Sequence, residues 1–327
     1  MSDPFVNHDL QGASVIVALL VFPIRLVVTL VVIALMRILA ACGIASRLLQ
    51  RILLFCHGFH YIVIHGKAAS QDDAPVMVCN HRTFFDPIFL FMLHGPSTVS
   101  RTENKDVPFI GPIIDALDPI YVQREAKSKS DVKDRIRDKL KSNRVLIFPE
   151  ATCTNGSVVM SFKYGAFDTG HAVQPIVIKY PGWNPSWVND GPSPLRIWLT
   201  TMLRWHNPVE IQYLDVVKPP MTKKVPEFAR LTQKRMAKAL GVPATQHSFY
   251  DVRLVLQAMR KGYRHFPTTE LAKYKAVNFS IAISLLDCFD KADPTRTGKT
   301  TKTLSDKTTI GMTFDEMLQS YEDRHCH

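Results

Sequence analysis

Pro75-Val76-Met77-Val78-Cys79-Asn80-His81-Arg82-Thr83-Phe84-Phe85-Asp86-Pro87 decides how the rest of the chain is read. A short unbroken apolar run that stops at a polar loop predicts a strand buried on both faces. The loop leads into an apolar segment, Phe84–Leu93, that predicts a helix. His81 stands at the end of the strand and Asp86 near the start of the helix. Residues five apart on one helix do not face each other, so the pair can meet only if His81 lies outside it. An imidazole with a carboxylate on its far nitrogen is a base able to take a proton from an alcohol. Taken alone, the pair reads more readily as a surface histidine beside an acid that serves the helix N-terminus.

Further along, Val145-Leu146-Ile147-Phe148-Pro149-Glu150-Ala151-Thr152-Cys153-Thr154-Asn155 repeats the pattern of an apolar strand delivering a carboxylate into a turn. Other strand candidates are His60–His65, Ile120–Gln123, Gln174–Tyr180 and Val209–Val216; Arg144–Phe148 is the strand just quoted. Helix candidates are Ser130–Ser142, Ser193–Leu203 and Pro226–Leu240. Within the first of these, Val132, Ile136 and Leu140 recur every four residues and form one apolar stripe. Gly241 is placed to stop the last. Short strands alternating with helices predict an α/β fold with a mostly parallel twisted sheet flanked by helices.

Together the two motifs resemble those of the glycerolipid acyltransferases that carry an H-x4-D motif and an F-P-E-G-T motif. Phe109-Ile110-Gly111-Pro112 through Pro119-Ile120-Tyr121-Val122-Gln123-Arg124 is similar to that family's second block, and Val173-Gln174-Pro175-Ile176-Val177-Ile178 to its fourth. The run from Cys153 to Phe167 is most similar to the lysophosphatidylcholine acyltransferase branch, and the likeness covers residues 52–262. The resemblance implies His81 as general base and Asp86 as its partner. It implies Arg124 as a ligand of the acceptor phosphate, suited to a guanidinium fork, and Glu150 and Thr152 as acceptor-binding residues. Arg101, Lys105 and Lys163 are candidates for coenzyme A or headgroup phosphates. The partners implied are acyl-CoA as co-substrate and a lysophospholipid, with no cofactor and no metal. Direct attack by the acceptor needs no protein nucleophile: there is no Gly-x-Ser-x-Gly elbow, and Cys79, closing a strand, is expected to pack inward. Ala151 departs from the family, which has glycine there. Alanine is harmless at negative φ and strained at positive φ.

The net charge of +11 suits anionic partners such as phospholipid headgroups and coenzyme A. Nucleic acid is not expected, since the chain has no zinc-finger spacing, no RNP-like segment and no aromatics interleaved with Arg and Lys. Six scattered cysteines suggest neither a disulfide framework nor a zinc site. Residues 1–51 read as a membrane anchor. Its apolar run, interrupted at Pro23 and Arg25, is long enough to span a bilayer as one kinked helix or to dip into it as a hairpin. Arg47 and Arg51 favour a cytosolic exit, and the resemblance implies an endoplasmic reticulum membrane or a lipid droplet. Residues 263–327 are expected to be a small helical tail with a degenerate EF-hand-like loop. Counted from Asp293 the loop has Leu304 at its twelfth position, and counted from Asp290 it has Thr301; neither is the bidentate acid that calcium needs.

Overall fold

The computed structural model describes residues 17–107, 110–122, 130–188, 193–221, 224–263, 266, 269–300 and 311–325. Two compact units divide the chain between Pro243 and Ala244. The first contains α1 (Phe22–Ala41), α2 (Arg47–Cys56), β1 (Ile62–His65), β2 (Val76–Cys79), α3 (Asp86–His94), β3 (Ser97–Arg101), α4 (Gly111–Asp115), β4 (Ile120–Val122), α5 (Ser130–Leu140), β5 (Val145–Ile147), β6 (Val173–Lys179), α6 (Pro194–Leu203), β7 (Val209–Tyr213) and α7 (Val225–Leu240).

Its sheet has seven strands in the order β1-β7-β6-β2-β5-β3-β4. β2 pairs in parallel with β5 and β6, and β3 in parallel with β5 and β4. The join between β6 and β7 is antiparallel, so β7 and its parallel partner β1 run the other way. The sheet is therefore mixed, with the expected parallel block formed by β6-β2-β5-β3-β4. β2 is buried along its whole length, which is why its sequence is apolar without alternation. Successive residues still point to opposite faces. Val76, Val78, Val145 and Ile147 pack with Ile136, Leu140, Phe228 and Met236 of α5 and α7. Met77, Cys79 and Leu146 pack on the other face with Phe85, Phe89, Leu90 and Ile197. Phe89 and Leu90 are wholly buried, and each such side chain contributes about 1.5–3 kcal/mol. Cys79 faces this second core as expected, and burial pushes its thiol well above the ordinary range.

The strand Ser97–Arg101 was not expected, because Ser97-Thr98-Val99-Ser100-Arg101 holds one apolar residue. Its neighbours β5 and β4 supply the ladder bonds that its composition does not advertise.

The anchor differs from expectation at Pro23. The α-helix starts at Phe22, which puts Pro23 in its first turn, where a missing N–H costs nothing, and a single π turn precedes it. The helical run continues through Pro23 and Arg25, and it ends ahead of Gly43, in a left-handed turn with φ 70°. α2 follows, and Leu53 of α2 and Ile113 of α4 pack with Val32 and Met36 of α1. Arg25, Thr29, Val32 and Met36 lie on one buried face of α1, while Ile24, Val27, Leu30, Val31, Leu35 and Ile38 face outward. Residues Leu19–Ala41 form one stretch long and apolar enough to cross a membrane, and only 22% of it is buried, unlike a core helix. Arg51 is occupied inside the protein, donating to the carbonyls of Phe59 and His60 at 3.0 and 2.6 Å.

The second unit holds α8 (Phe249–Arg260), α9 (Phe279–Ala292) and α10 (Phe314–His325). Leu254 and Ala258 of α8 share a core with Leu286, Phe289, Phe314 and Met317. For that reason α8, grouped by sequence with the middle of the chain, belongs to the C-terminal unit. Ser248 and Asp251 close its start as a capping box.

Candidate active site

β2 and β5 are parallel neighbours, so their C-terminal ends lie side by side. The segments that follow leave towards opposite faces: α3 joins the core that contains Met77, and Val159 and Phe162 join the core that contains Val76. Such a divergence opens a crevice at the carboxyl edge of a sheet. Asn80 fixes the exit from β2. Its side-chain amide donates to Ile178 O at 3.1 Å and accepts from Ile178 N at 2.8 Å, continuing the β6 ladder through a side chain.

His81 comes next. Its Nδ1 lies 2.9 Å from Asp86 Oδ2, its ring stacks on Phe148 with centroids 4.3 Å apart, and its side chain remains 21% exposed. That opening makes the imidazole reachable. Asp86 begins α3 and is fully buried. Its Oδ2 also accepts from the amides of Arg82 and Thr83 at 2.7 and 2.9 Å, and its Oδ1 accepts from the Tyr180 hydroxyl. A carboxylate so committed cannot rotate, so it fixes the ring and leaves Nε2 as the nitrogen for proton transfer. Burial alone would lower the His81 pKa; the nearby Cys153 sulfur and the Asp86 carboxylate outweigh it and raise the value to about 10.

Glu150 is buried beside the same loop. One oxygen accepts from His81 N at 3.4 Å and the other from Met160 N at 3.0 Å. Burial pushes its carboxyl up to about 7 against the pull of these amides and of His81. Thr154 N donates to His81 O at 2.9 Å, which sets the turn after β5 directly against the base. Ala151, in that turn, has φ 61°, the left-handed conformation that glycine takes without strain.

Thr152 is half-buried in the same turn. Arg101 ends β3 at the same carboxyl edge and is exposed; Lys105 is exposed too, its ammonium 4.2 Å from the centroid of Tyr121. Lys163 is exposed, and its amide donates to Pro149 O at 2.8 Å. Arg124 lies outside the described residues. Among the described residues no group of His, Cys, Asp and Glu is arranged to hold a metal. Sequence reasoning missed Asn80, Arg82, Cys153 and Tyr180. Asn80 and Arg82 flank His81 and Cys153 follows Glu150 closely, which is the one signal that could have marked them; Tyr180 carries none beyond ending a strand.

A family model described as Acyltransferase matches residues 61–179, the span that holds His81, Asp86 and Glu150. A lysophosphatidylcholine acyltransferase of Drosophila melanogaster is 37% identical over 242 residues, which are 71% of this chain and 44% of that protein. A lysophospholipid acyltransferase of Arabidopsis thaliana is 36% identical over 222 residues, 65% of this chain and 41% of that one. The chain thus spans less than half the length of these relatives. Among solved structures, the 1-acyl-sn-glycerophosphate acyltransferase of Thermotoga maritima matches 67% of this chain and 96% of its own, at 18% identity and a TM-score of 0.43.

Proposed function

This chain belongs to the acyltransferase family, and we propose that it transfers a fatty acyl group from acyl-CoA to the free hydroxyl of a lysophospholipid, with lysophosphatidylcholine the preferred acceptor. The observation that carries the reading is the His81–Asp86 dyad, with its carboxylate locked on one ring nitrogen and the ring open at the carboxyl edge of the sheet. His81 Nε2 takes the proton of the acceptor hydroxyl as its oxygen attacks the thioester carbon. The carbon–sulfur bond breaks, the coenzyme A sulfur leaves, and the proton passes from the imidazolium to that sulfur. Asp86 stabilises the imidazolium between these steps. No covalent enzyme intermediate and no cofactor enter.

Glu150, with both oxygens on backbone amides, would act through the loop that carries His81 and present the acceptor side of the crevice. Arg124 keeps the acceptor-phosphate role implied by the resemblance. Arg101, Lys105 and Lys163 supply positive charge for coenzyme A or headgroup phosphates, and Thr152 sits in the turn that would meet the acceptor. The outward face of α1 attaches the enzyme to a bilayer, which the family resemblance implies is the endoplasmic reticulum, with the catalytic unit on its cytosolic side.

The experiment is a panel of lysophospholipids, lysophosphatidic acid and glycerol 3-phosphate offered with one labelled acyl-CoA to the membrane-reconstituted protein. Transfer is expected to be fastest to lysophosphatidylcholine. A preference for another acceptor would move the assignment within the family. Absence of transfer to every acceptor would favour a membrane-bound scaffold, whose supports are the strained Ala151 and the degenerate calcium-like loop of the tail.

A further inference from the structure

Arg82 follows the base directly, and the mechanism above uses nothing of its side chain. Its amide donates to Asp86 Oδ2 at 2.7 Å, and its carbonyl accepts from Trp187 N at 2.7 Å. Nε donates to Ser186 Oγ at 3.2 Å. Nη2 donates to Asn155 O at 3.0 Å and to Asn184 Oδ1 at 2.6 Å. The guanidinium carbon stands 5.5 Å from the centroid of the Tyr180 ring, the ring whose hydroxyl donates to Asp86 Oδ1. Gly156 fits so closely beneath it that a Cβ there would lie 2.7 Å from Nε and 2.8 Å from Cζ.

One side chain therefore joins three segments from distant parts of the chain. They are the loop after β2 with His81, the turn after β5 with Glu150 and Cys153, and the loop after β6. The acceptors are a carbonyl, an amide oxygen and a hydroxyl, all neutral protein groups, so these donors are spent inside the protein and not on a substrate anion. A guanidinium is planar and presents its donors at fixed angles, whereas an ammonium keeps the charge and loses the fork. We infer that Arg82 is a positioning residue that clamps the Asn155–Gly156 turn and the Asn184–Ser186 loop onto the His81–Asp86 loop, fixing the imidazole for proton transfer. The inference rests on the acyl-transfer reading, in which a misplacement of about 1 Å costs on the order of 100-fold in rate.

The test compares the full-length protein in detergent with Arg82→Lys, Arg82→Ala, Gly156→Ala and the double variant Arg82→Ala/Gly156→Ala. It reads kcat, both KM values, the thermal midpoint and the His81 titration by NMR of labelled histidine. Arg82→Lys is expected to lose roughly 10- to 100-fold in kcat, with both KM values held and the His81 titration displaced. Gly156→Ala, which drives a methyl into the guanidinium and also carries the strain of a left-handed φ of 78°, should reproduce the kcat loss, and the part owed to the guanidinium should vanish in the Arg82→Ala background while the backbone strain stays in the thermal midpoint. Should Arg82→Lys fail to fold, Gly156→Ala and its double carry the comparison. Full activity in Arg82→Lys overturns the clamp, as does a raised acceptor KM at constant kcat, which would make Arg82 a phosphate-binding cation. If the wild-type protein transfers no acyl group, the acyl-transfer reading fails by itself. The clamp is then still decided by the His81 titration, and an unmoved titration in both Arg82→Lys and Gly156→Ala overturns it.

Discussion

His81 Nδ1 lies 2.9 Å from an Asp86 oxygen that also takes the amides of Arg82 and Thr83. The carboxylate is locked before any substrate arrives, and the imidazolium beside it is held above its ordinary pKa. Only the neutral ring can accept a proton, so kcat/KM should rise with pH along a limb on the alkaline side of 6.5. Asp86→Asn should move that limb towards acid and lower the plateau. His81→Ala should cost ~100- to 10,000-fold while the protein stays folded. The same linkage has a sign for stability. A raised histidine pKa contributes stability that is full below about 6.5 and is lost as pH climbs through about 10, so the thermal midpoint of wild type should approach that of His81→Ala at alkaline pH. Near-normal turnover in His81→Ala would sink the mechanism.

Ala151 sits at φ 61°. A left-handed alanine costs roughly 1–2 kcal/mol, and replacing it by glycine gives back about 0.4–1 kcal/mol through the looser unfolded chain. The first term is larger. Ala151→Gly should therefore raise the thermal midpoint by about 1–3 °C without loss of rate. A lower midpoint, seen by calorimetry, would mean that the turn depends on the alanine methyl.

The parts of this fold that were legible in the sequence are those whose causes are local. Val76–Cys79 and Val145–Ile147 announce themselves because strands buried on both faces need unbroken apolar runs. Ser97–Arg101 does not, because its strand state comes from two neighbours. The dyad could be read from His81 and Asp86 only with the other family blocks beside them. Its support could not: Tyr180 reaches Asp86 and Asn80 reaches Ile178 across most of the sheet's sequence, and no period or motif encodes a partner so far away. Glu150 could be read as a carboxylate at a strand end, but not its bonds to the amides of His81 and Met160, which lie 69 and 10 residues away. Pro23 was expected to interrupt the apolar run, and it stands in the first turn of α1, directly after a π turn.

Arg25, in the first turns of the apolar α1, donates to the carbonyls of Met202, Arg204 and Trp205 at 2.8, 2.6 and 2.9 Å. It thereby satisfies groups left open where α6 ends. Arg25→Met should destabilise the protein by about 2–5 kcal/mol through the orphaned carbonyls. It should leave vesicle binding intact, because the outward face of the helix is unchanged. High salt should not release the wild-type protein from liposomes, since apolar burial is not screened. Release by a salt wash would show that the basic surface, and not α1, does the binding.

Calcium should neither bind to nor stabilise the C-terminal unit. Asp293, the first position of the loop between α9 and α10, is fully buried and already saturated. Its Oδ1 accepts from Thr295 Oγ1, Thr297 N and Thr297 Oγ1 at 3.2, 3.1 and 3.0 Å, and its Oδ2 from Gly298 N at 2.8 Å. The hydroxyls that would offer lone pairs to a cation instead donate protons to the carboxylate. Asp290 faces Lys261 and Arg296 at 3.4 and 3.7 Å. Glu316, the other acid that could complete an irregular site, accepts from Thr313 N and Oγ1 at 2.7 and 2.9 Å. Leu304 and Thr301, the two candidates for the twelfth position, lie outside the described residues, and neither side chain is a carboxylate. A hard dication needs several converging oxygens with net negative charge, and here a lysine and an arginine occupy that place. Calorimetry of the full-length protein with calcium from ~1 μM to ~1 mM, the range of sensor and extracellular sites, should show no saturable heat and no shift in midpoint. Saturable binding that disappears in Asp293→Asn would restore a calcium site and with it a regulatory role for this unit.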